Sequence, residues 1–373
     1  MRKFFFLLIS IFLVSSCALL PGEGPIVIGG IAPLIGPGEV IGEMMQNVVN
    51  LRISQINEAG GIKGRELQIL WRNGECSEEV AARLALELID EEDVRIILGG
   101  ACSQETMGAG RVANEEKIFL LSPISTSPEI SKLGEYSFRT MLPSPTQGRA
   151  LGKYVNKMNY RRIGVLQETN SYTTPIRKNF ELAFMGDEII EEILSPEKDD
   201  FFDEVTKLLS NQPDAIFINF QQPEEFLRVV SILDELDSPI PIFFNQAGID
   251  GLSSLEGNEY VKKMKPIGAA FYIDHNNPKF SAFEKLYEIH YGIPLEFKNF
   301  AGTTLDAVDV LAEALISVDN VRKPKQLRDA FWRIQYPGFS GPLIFNSNGD
   351  IRGRNSLIRY DGLTYEVLEK EPY

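Results

Sequence analysis

Apolar residues along this chain fall into two alternating patterns. Short, mainly apolar runs such as IVIGGIAPL (26–34), ELQIL (66–70), VRIIL (94–98) and KIFLL (117–121) read as strands. Between them, over 42–58, 77–91 and 104–116, apolar positions recur at helical spacing, which predicts amphipathic helices. Gly60-Gly61 ends the first as a C-terminal glycine cap. A second set repeats the alternation: helix 147–158, strand 161–168, helix 173–185, strand 187–194, helix 200–210, strand 214–220, helix 223–236 and strand 240–245. Pro143 and Pro145 make SFRTMLPSPTQG (137–148) a crossover between the sets. Alternation of this kind builds parallel sheets from βαβ units. Helices at 279–290 and 302–317, and strands within GPLIFNSNGD (341–350) and SLIRYDGLTYEVLE (356–369), do not extend either set in simple order.

The first residues read as an address. Arg2 and Lys3 precede FFFLLISIFLV, which is too short to span a bilayer and suits the apolar core of a secretory signal over 1–16. Val14-Ser15-Ser16-Cys17 then places small residues before a cysteine, as in a bacterial lipobox, where Cys17 is diacylated and becomes the new N-terminus. An ordinary signal peptide with an incidental cysteine is the alternative. Several acyl chains, each stabilised by ~0.8 kcal/mol per buried CH₂, make a stable anchor. Residues 17–25, with Pro21, Gly22, Gly24 and Pro25, form a short tether.

About 357 residues remain after such cleavage, more than one core comfortably holds, so two domains are expected. The net charge of −15 becomes about −17 without Arg2 and Lys3, and no basic patch interleaved with aromatics appears, which argues against a nucleic-acid partner. No cofactor or metal is implied: His275 and His290 lack ligand spacing. With Cys17 acylated, Cys76 and Cys102 are an even pair in an oxidising compartment, either disulfide-bonded or present as two buried thiols.

The stretch from Asn57 to Thr126 is the most informative. It runs NEAGGIKGRELQILWRNGEC, then a helical pattern, then VRIILGGACSQET and KIFLLSPISTSPE, so that two strands lead into Ser/Thr-rich turns able to present N–H groups to an anion. Together with IAPLIGP near the start, FAGTTLDAVDVLAEAL (300–315) and GFSGPLIFNSNGD (338–350), it resembles the substrate-binding proteins of branched-chain amino-acid ABC transporters, in the type I periplasmic binding protein family. The resemblance covers nearly all of the chain after residue 25, in the family's order.

That resemblance implies an α/β fold of two doubly wound parallel-sheet lobes joined by three hinge crossings, near 142–145, 268–272 and 345–351. Lobe 1 would comprise 25–143 plus 271–346, and lobe 2 144–270 plus 347–373. It implies a Cys76–Cys102 disulfide, a small carboxylate-bearing ligand in a cleft that closes by hinge motion, ABC permease subunits as partners, and an extracytoplasmic, membrane-anchored location in the periplasm or on the outer cell surface. Ser103, read as a helix N-cap, would hold the ligand's carboxylate together with Ile124, Ser125 and Thr126. Tyr172 aligns with an aromatic that closes over the ligand, although the usual following glycine is Thr173.

Departures from the family bear on the ligand. The acidic residue expected after PIFFN is Ala247, the early cleft aromatic is Ile41, and the expected tyrosine after DAIFINF is replaced by Gln221-Gln222. A buried ammonium without a carboxylate is costly. Either Asp250, Glu168 or Glu105 substitutes, or the ligand lacks a free α-amine; in that case Gln221, Asn219, Asn245 and Gln246 offer amide contacts. An enzyme is disfavoured, since no G-x-S-x-G, H-E-x-x-H, phosphate loop or dinucleotide fingerprint occurs. A ligand sensor of the same fold, regulating a partner without transport, is the alternative to an import receptor.

Overall fold

The computed structural model describes residues 24–370 except 37, 171, 196, 197, 199, 222, 254, 272, 274–276 and 354. The expected leader, Cys17 and the tether up to residue 23 lie outside the described residues, as do Gln222, His275 and the side chain of Asp250.

The first sheet is built from β1 (Ile26–Ala32), β2 (Leu67–Asn73), β3 (Ile96–Gly99), β4 (Phe119–Ser122) and β5 (Ser137–Arg139), with α1 (Glu39–Glu58), α2 (Glu78–Asp90) and α3 (Ser103–Glu115) as crossovers. Its order is β2-β1-β3-β4-β5, all parallel. The chain then forms α4 (Pro145–Lys157), β6 (Arg162–Gln167), α5 (Thr173–Ala183), β7 (Glu188–Ile193), α6 (Phe202–Ser210), β8 (Ala215–Asn219), α7 (Pro223–Glu235), β9 (Ile242–Phe244), α8 (Gln246–Ser253), α9 (Glu259–Met264) and β10 (Ile267–Ala270). Strands β7-β6-β8-β9-β10 repeat the first sheet's order, so each lobe is doubly wound, with a switch point where the strand order reverses.

After β10 the chain returns to the first lobe through α10 (Pro278–Tyr291), α11 (Lys298–Ser317), α12 (Pro324–Phe331) and the hairpin of β11 (Tyr336–Gly338) and β12 (Gly341–Leu343). Apolar packing explains the return. Phe280, Leu305, Leu311, Leu315 and Phe331 are buried in one cluster with Ile28, Val48, Phe119 and Phe138, and the Phe119 and Phe331 rings lie 4.6 Å apart. Each such side chain contributes about 1.5–3 kcal/mol on full burial. A last crossing leads to β13 (Ser356–Tyr360) and β14 (Tyr365–Lys370), and β13 pairs with β10.

The structure corrects several expectations. Lobe 2 is not purely parallel: β13 is antiparallel to β10 and forms a hairpin with β14. Ser137–Arg139 is a strand, not part of a crossover; three residues are too few to show a period. Only Gly341–Leu343 of GPLIFNSNGD is strand, because Asn346 Oδ1 turns the chain by accepting from the N–H groups of Asn348 and Asp350. Helices α8, α9 and α12 were not anticipated; each has eight residues or fewer.

Candidate functional site

The carboxyl ends of both parallel sheets face one cleft of about 740 Å³. Ser103, Ile124, Ser125, Thr126, Tyr172, Gln221 and Ala247, the seven positions singled out as ligand-binding candidates, all line it. They follow β3, β4, β6, β8 and β9, the strand ends where open α/β sheets place their ligands.

On the first wall, β3 leads through Gly100-Ala101-Cys102 into α3. Cys102 is the N-cap and Ser103 the first helical residue, a correction of one position. The expected capping by a serine hydroxyl is replaced by Glu105, whose carboxylate accepts from Cys102 N at 3.1 Å and Cys76 N at 3.3 Å. It reaches both because Gly74 and Gly100 leave it room: a Cβ on either would lie 2.3 Å from a Glu105 side-chain atom. Glu105 is fully buried, and desolvation pushes its pKa up to about 7 even though backbone N–H groups favour the charged form. It is spent on the loop and does not serve as an amine partner. Cys76 and Cys102 are joined by a disulfide, with Cα atoms 5.2 Å apart, so the β2 and β3 loops are covalently tied beside the cleft.

The loop after β4 is held from behind. Ser125 Oγ lies 2.7 Å from Thr106 Oγ1 and donates to Gly100 O at 3.0 Å, so this hydroxyl faces the lobe's own network. Ser127 N donates to Ser103 Oγ at 3.2 Å, tying the two halves of the expected clamp together. Arg139, with no exposed surface, donates to Ser127 O at 2.7 Å and to Asp350 Oδ1 at 2.7 Å. Thr126 O accepts from Ser144 N at 2.8 Å, at the first crossing between lobes. Among the described residues no protein group pairs with the Thr126 hydroxyl or N–H. These groups, with the opening N–H groups of α3, form a donor set suited to an anion.

The second wall is amide-rich. Asn170 Oδ1 accepts from Tyr172 N and Thr173 N, both at 2.9 Å, and so starts α5. The Tyr172 phenol donates to Gln147 Oε1 at 3.4 Å, which also accepts from Gln246 N at 2.9 Å. Gln246 Oε1 in turn accepts from Phe271 N at 2.7 Å, at the second crossing. Asn219 and Asn245, amide contacts only if the ligand lacks a free α-amine, do not line the cleft: Asn245 Nδ2 donates to Asn219 Oδ1 and Phe220 O, and Asn219 Nδ2 to Gln167 Oε1 and Thr173 O. They join strand ends. Glu168 Oε1 accepts from Gln221 N at 2.5 Å. Ala247 is 7% exposed and brings no charge.

Other lining residues were not anticipated. Glu39, Glu224 and Glu296 bring carboxylates, and Phe297 and Phe300, beside Ile41 in the lining, bring stacked rings 6.5 Å apart. Phe297 opens α11 with φ 47°, a left-handed conformation no apolar pattern signals. Among the described residues no group of three or more His, Cys, Asp or Glu side chains is placed to hold a metal, and no helix is long and apolar enough to cross a membrane.

Residues 25–357 match the family described as periplasmic binding protein. The leucine-, isoleucine-, valine-, threonine- and alanine-binding protein of Pseudomonas aeruginosa PAO1 is 24% identical over 330 residues, spanning 86% of this chain and 85% of that protein. The branched-chain amino acid transporter substrate-binding protein of Streptococcus pneumoniae, solved with isoleucine, superposes with a TM-score of 0.76 at 22% identity, covering 92% of this chain and 99% of the other. A solute-binding protein of an ABC transporter from Rhodopseudomonas palustris BisB5, solved with 3,4-dihydroxybenzoic acid, superposes with a TM-score of 0.80 at 19% identity, covering 93% and 97%. At these identities the structural likeness shows the fold.

Proposed function

We propose a function from one premise: the chain belongs to the periplasmic binding protein family. It is the extracytoplasmic solute receptor of an ABC importer, held at the membrane by a lipidated Cys17, and it binds a small carboxylate-bearing ligand between lobe 1 (25–143 plus 271–346) and lobe 2 (144–270 plus 347–373). The ligand's carboxylate is received by the Thr126 N–H and hydroxyl, the Ser103 region and the start of α3. Contacts from Tyr172, Gln221 and the backbone around Ala247 then draw the second lobe onto it. Closure is a hinge motion at the three crossings, driven by contacts that both lobes make at once.

The observation that carries this reading is the convergence of the seven candidate residues, from five strand ends in two lobes, on one cleft. The ligand class rests on a further comparison. Isoleucine and 3,4-dihydroxybenzoate, the ligands of two structural neighbours, differ in that only one has an α-amine, and what they share is the carboxylate. Ala247 leaves the position expected to bind an α-ammonium without charge, so the carboxylate and not an α-amine is the group this cleft is built to hold.

The test is mass spectrometry of small molecules released by denaturing the freshly purified domain, followed by calorimetry with the compound found. A near-stoichiometric carboxylic acid supports the reading. Recovery of a ligand without a carboxylate contradicts it.

A further inference from the structure

We infer that the cleft takes a ligand bearing, besides its carboxylate, a neutral hydrogen-bond acceptor, a carbonyl or hydroxyl oxygen, received by the Nε2 donor of Gln246 in the second lobe. This deepens the proposed function and rests on its carboxylate assignment.

Gln246 lines the cleft and is only 2% exposed, and its Nε2 is buried with no hydrogen-bond partner. A buried amide donor left unpaired is costly and uncommon in folded proteins. Ser144 Oγ, Glu204 Oε2 and Glu225 Oε2 are also buried without a partner, but those residues do not line the cleft. At Gln246 the missing partner and the ligand's space coincide. The amide cannot satisfy itself by turning over. Its Oε1 accepts from Phe271 N at 2.7 Å, and a flipped amide would set its NH₂ group against that N–H, two donors face to face. The residue's own N donates to Gln147 Oε1 at 2.9 Å, which fixes the start of α8. Backbone and side-chain oxygen are both held, and Nε2 is the atom left to act.

The donor calls for an acceptor, and the surroundings call for a neutral one. Among the described residues that line the cleft there is no Lys or Arg, and Glu168 and Glu224 stand on the same wall as Gln246. A second carboxylate would meet these charges as the lobes close and water leaves, where like charges repel more strongly than in bulk solvent. An ammonium has no lone pair to offer, so the α-amine of a free amino acid cannot fill the role. Nor can Asn219 or Asn245 take over the contact, because their amides are spent on each other and on the strand ends. Thr126 in the first lobe and Gln246 in the second thus take two different groups of one ligand, which makes Gln246 a specificity-determining residue. Phe271 lies at the second crossing, so the amide that takes the ligand's oxygen also holds a hinge strand in place.

The experiment is calorimetry on the purified domain with matched probes: 4-methyl-2-oxopentanoate against 4-methylpentanoate, and 4-oxopentanoate against pentanoate. The wild-type protein is expected to bind the oxo acid of at least one pair about fivefold or more tightly than its partner. Gln246→Met, which cannot donate, should reduce that ratio to about twofold or less. The ratio is the readout, because a purely structural role of Gln246 would weaken both members alike and leave it unchanged. Gln246→Glu, assayed at about pH 8 so that the new carboxylate is ionised, is the second variant: it keeps an oxygen for Phe271 N, replaces the donor by an acceptor and should lower the ratio in the same way. Equal binding of both members of each pair by the wild type overturns the inference and leaves the carboxylate reading standing, as does an unchanged ratio in both variants. Release from the wild-type protein of a carboxylic acid with no neutral acceptor oxygen has the same meaning. If no member of either pair binds, the carboxylate reading fails and the inference falls with it.

Discussion

Arg139 and Asp350, separated by 211 positions in sequence, meet in a buried ion pair 2.7 Å long. Arg139 ends β5, and Asp350 lies on the segment leading to the third crossing, where the two residues also form a β-bridge. The same guanidinium holds Ser127 O and Ser131 Oγ, so one buried cation joins a crossing to the loop that presents Thr126. Replacing Asp350 with Ala leaves Arg139 charged and unpaired in the core, which should cost about 3–5 kcal/mol of stability. Urea unfolding measures the loss, and a change below about 1 kcal/mol would show that the pair is not needed to hold the loop.

The Cys76–Cys102 bond closes a separation of 26 residues. The chain-entropy account gives it roughly 3.5 kcal/mol at most, through the unfolded state. Reduction should therefore lower the unfolding midpoint without unfolding the protein at 25 °C, and should weaken ligand binding only a few-fold, because Glu105 still holds both loops. Paired denaturation and calorimetry with and without reductant check this. Complete loss of binding on reduction would mean that the bond, and not Glu105, shapes the first wall.

How much of this was legible beforehand follows from where the information lay. VRIIL and KIFLL announced themselves because β3 and β4 are buried on both faces and so are nearly continuously apolar, and the turns after them carried Ser103 and Thr126 within a few residues; ELQIL was legible as an apolar run although β2 is a half-buried edge strand. The β5 strand was invisible: it has only three residues, paired with β4, and Arg139 at its end is fixed by Asp350, far along the chain. Glu105 looked like an available carboxylate, since nothing local says that Gly74 and Gly100 open a slot for it. Glu224, Glu296 and Phe297 reach the cleft only through the chain's return to the first lobe and the placing of α7, a tertiary outcome with no local signal.

Glu105 also gives the stability a definite pH dependence. Its folded pKa of about 7 lies above its ordinary 4.5, so the folded state favours the protonated carboxyl. The group's contribution is complete below about pH 4.5 and is lost as pH rises to about 7. Glu105→Gln removes this slope. The stability difference between wild type and variant should shift against the wild type by roughly 2–3 kcal/mol between pH 5 and pH 8. Urea melts at the two values test it; parallel behaviour of the two proteins would contradict it.

Cys17 is expected to be the mature, acylated N-terminus. Cys17→Ser should block processing by the lipoprotein peptidase and move the protein out of the detergent phase on phase partitioning. Unchanged processing and partitioning would remove the lipid anchor from the account.

The central claim is that Thr126 receives the ligand's carboxylate, and calorimetry on Thr126→Val with the compound recovered from the wild-type protein tests it most directly. Losing a hydrogen bond to a charged group should weaken binding by about 1.5–3 kcal/mol, while the amide or methyl ester of the same compound should bind the two proteins about equally. Undiminished affinity of Thr126→Val for the free acid would contradict the assignment.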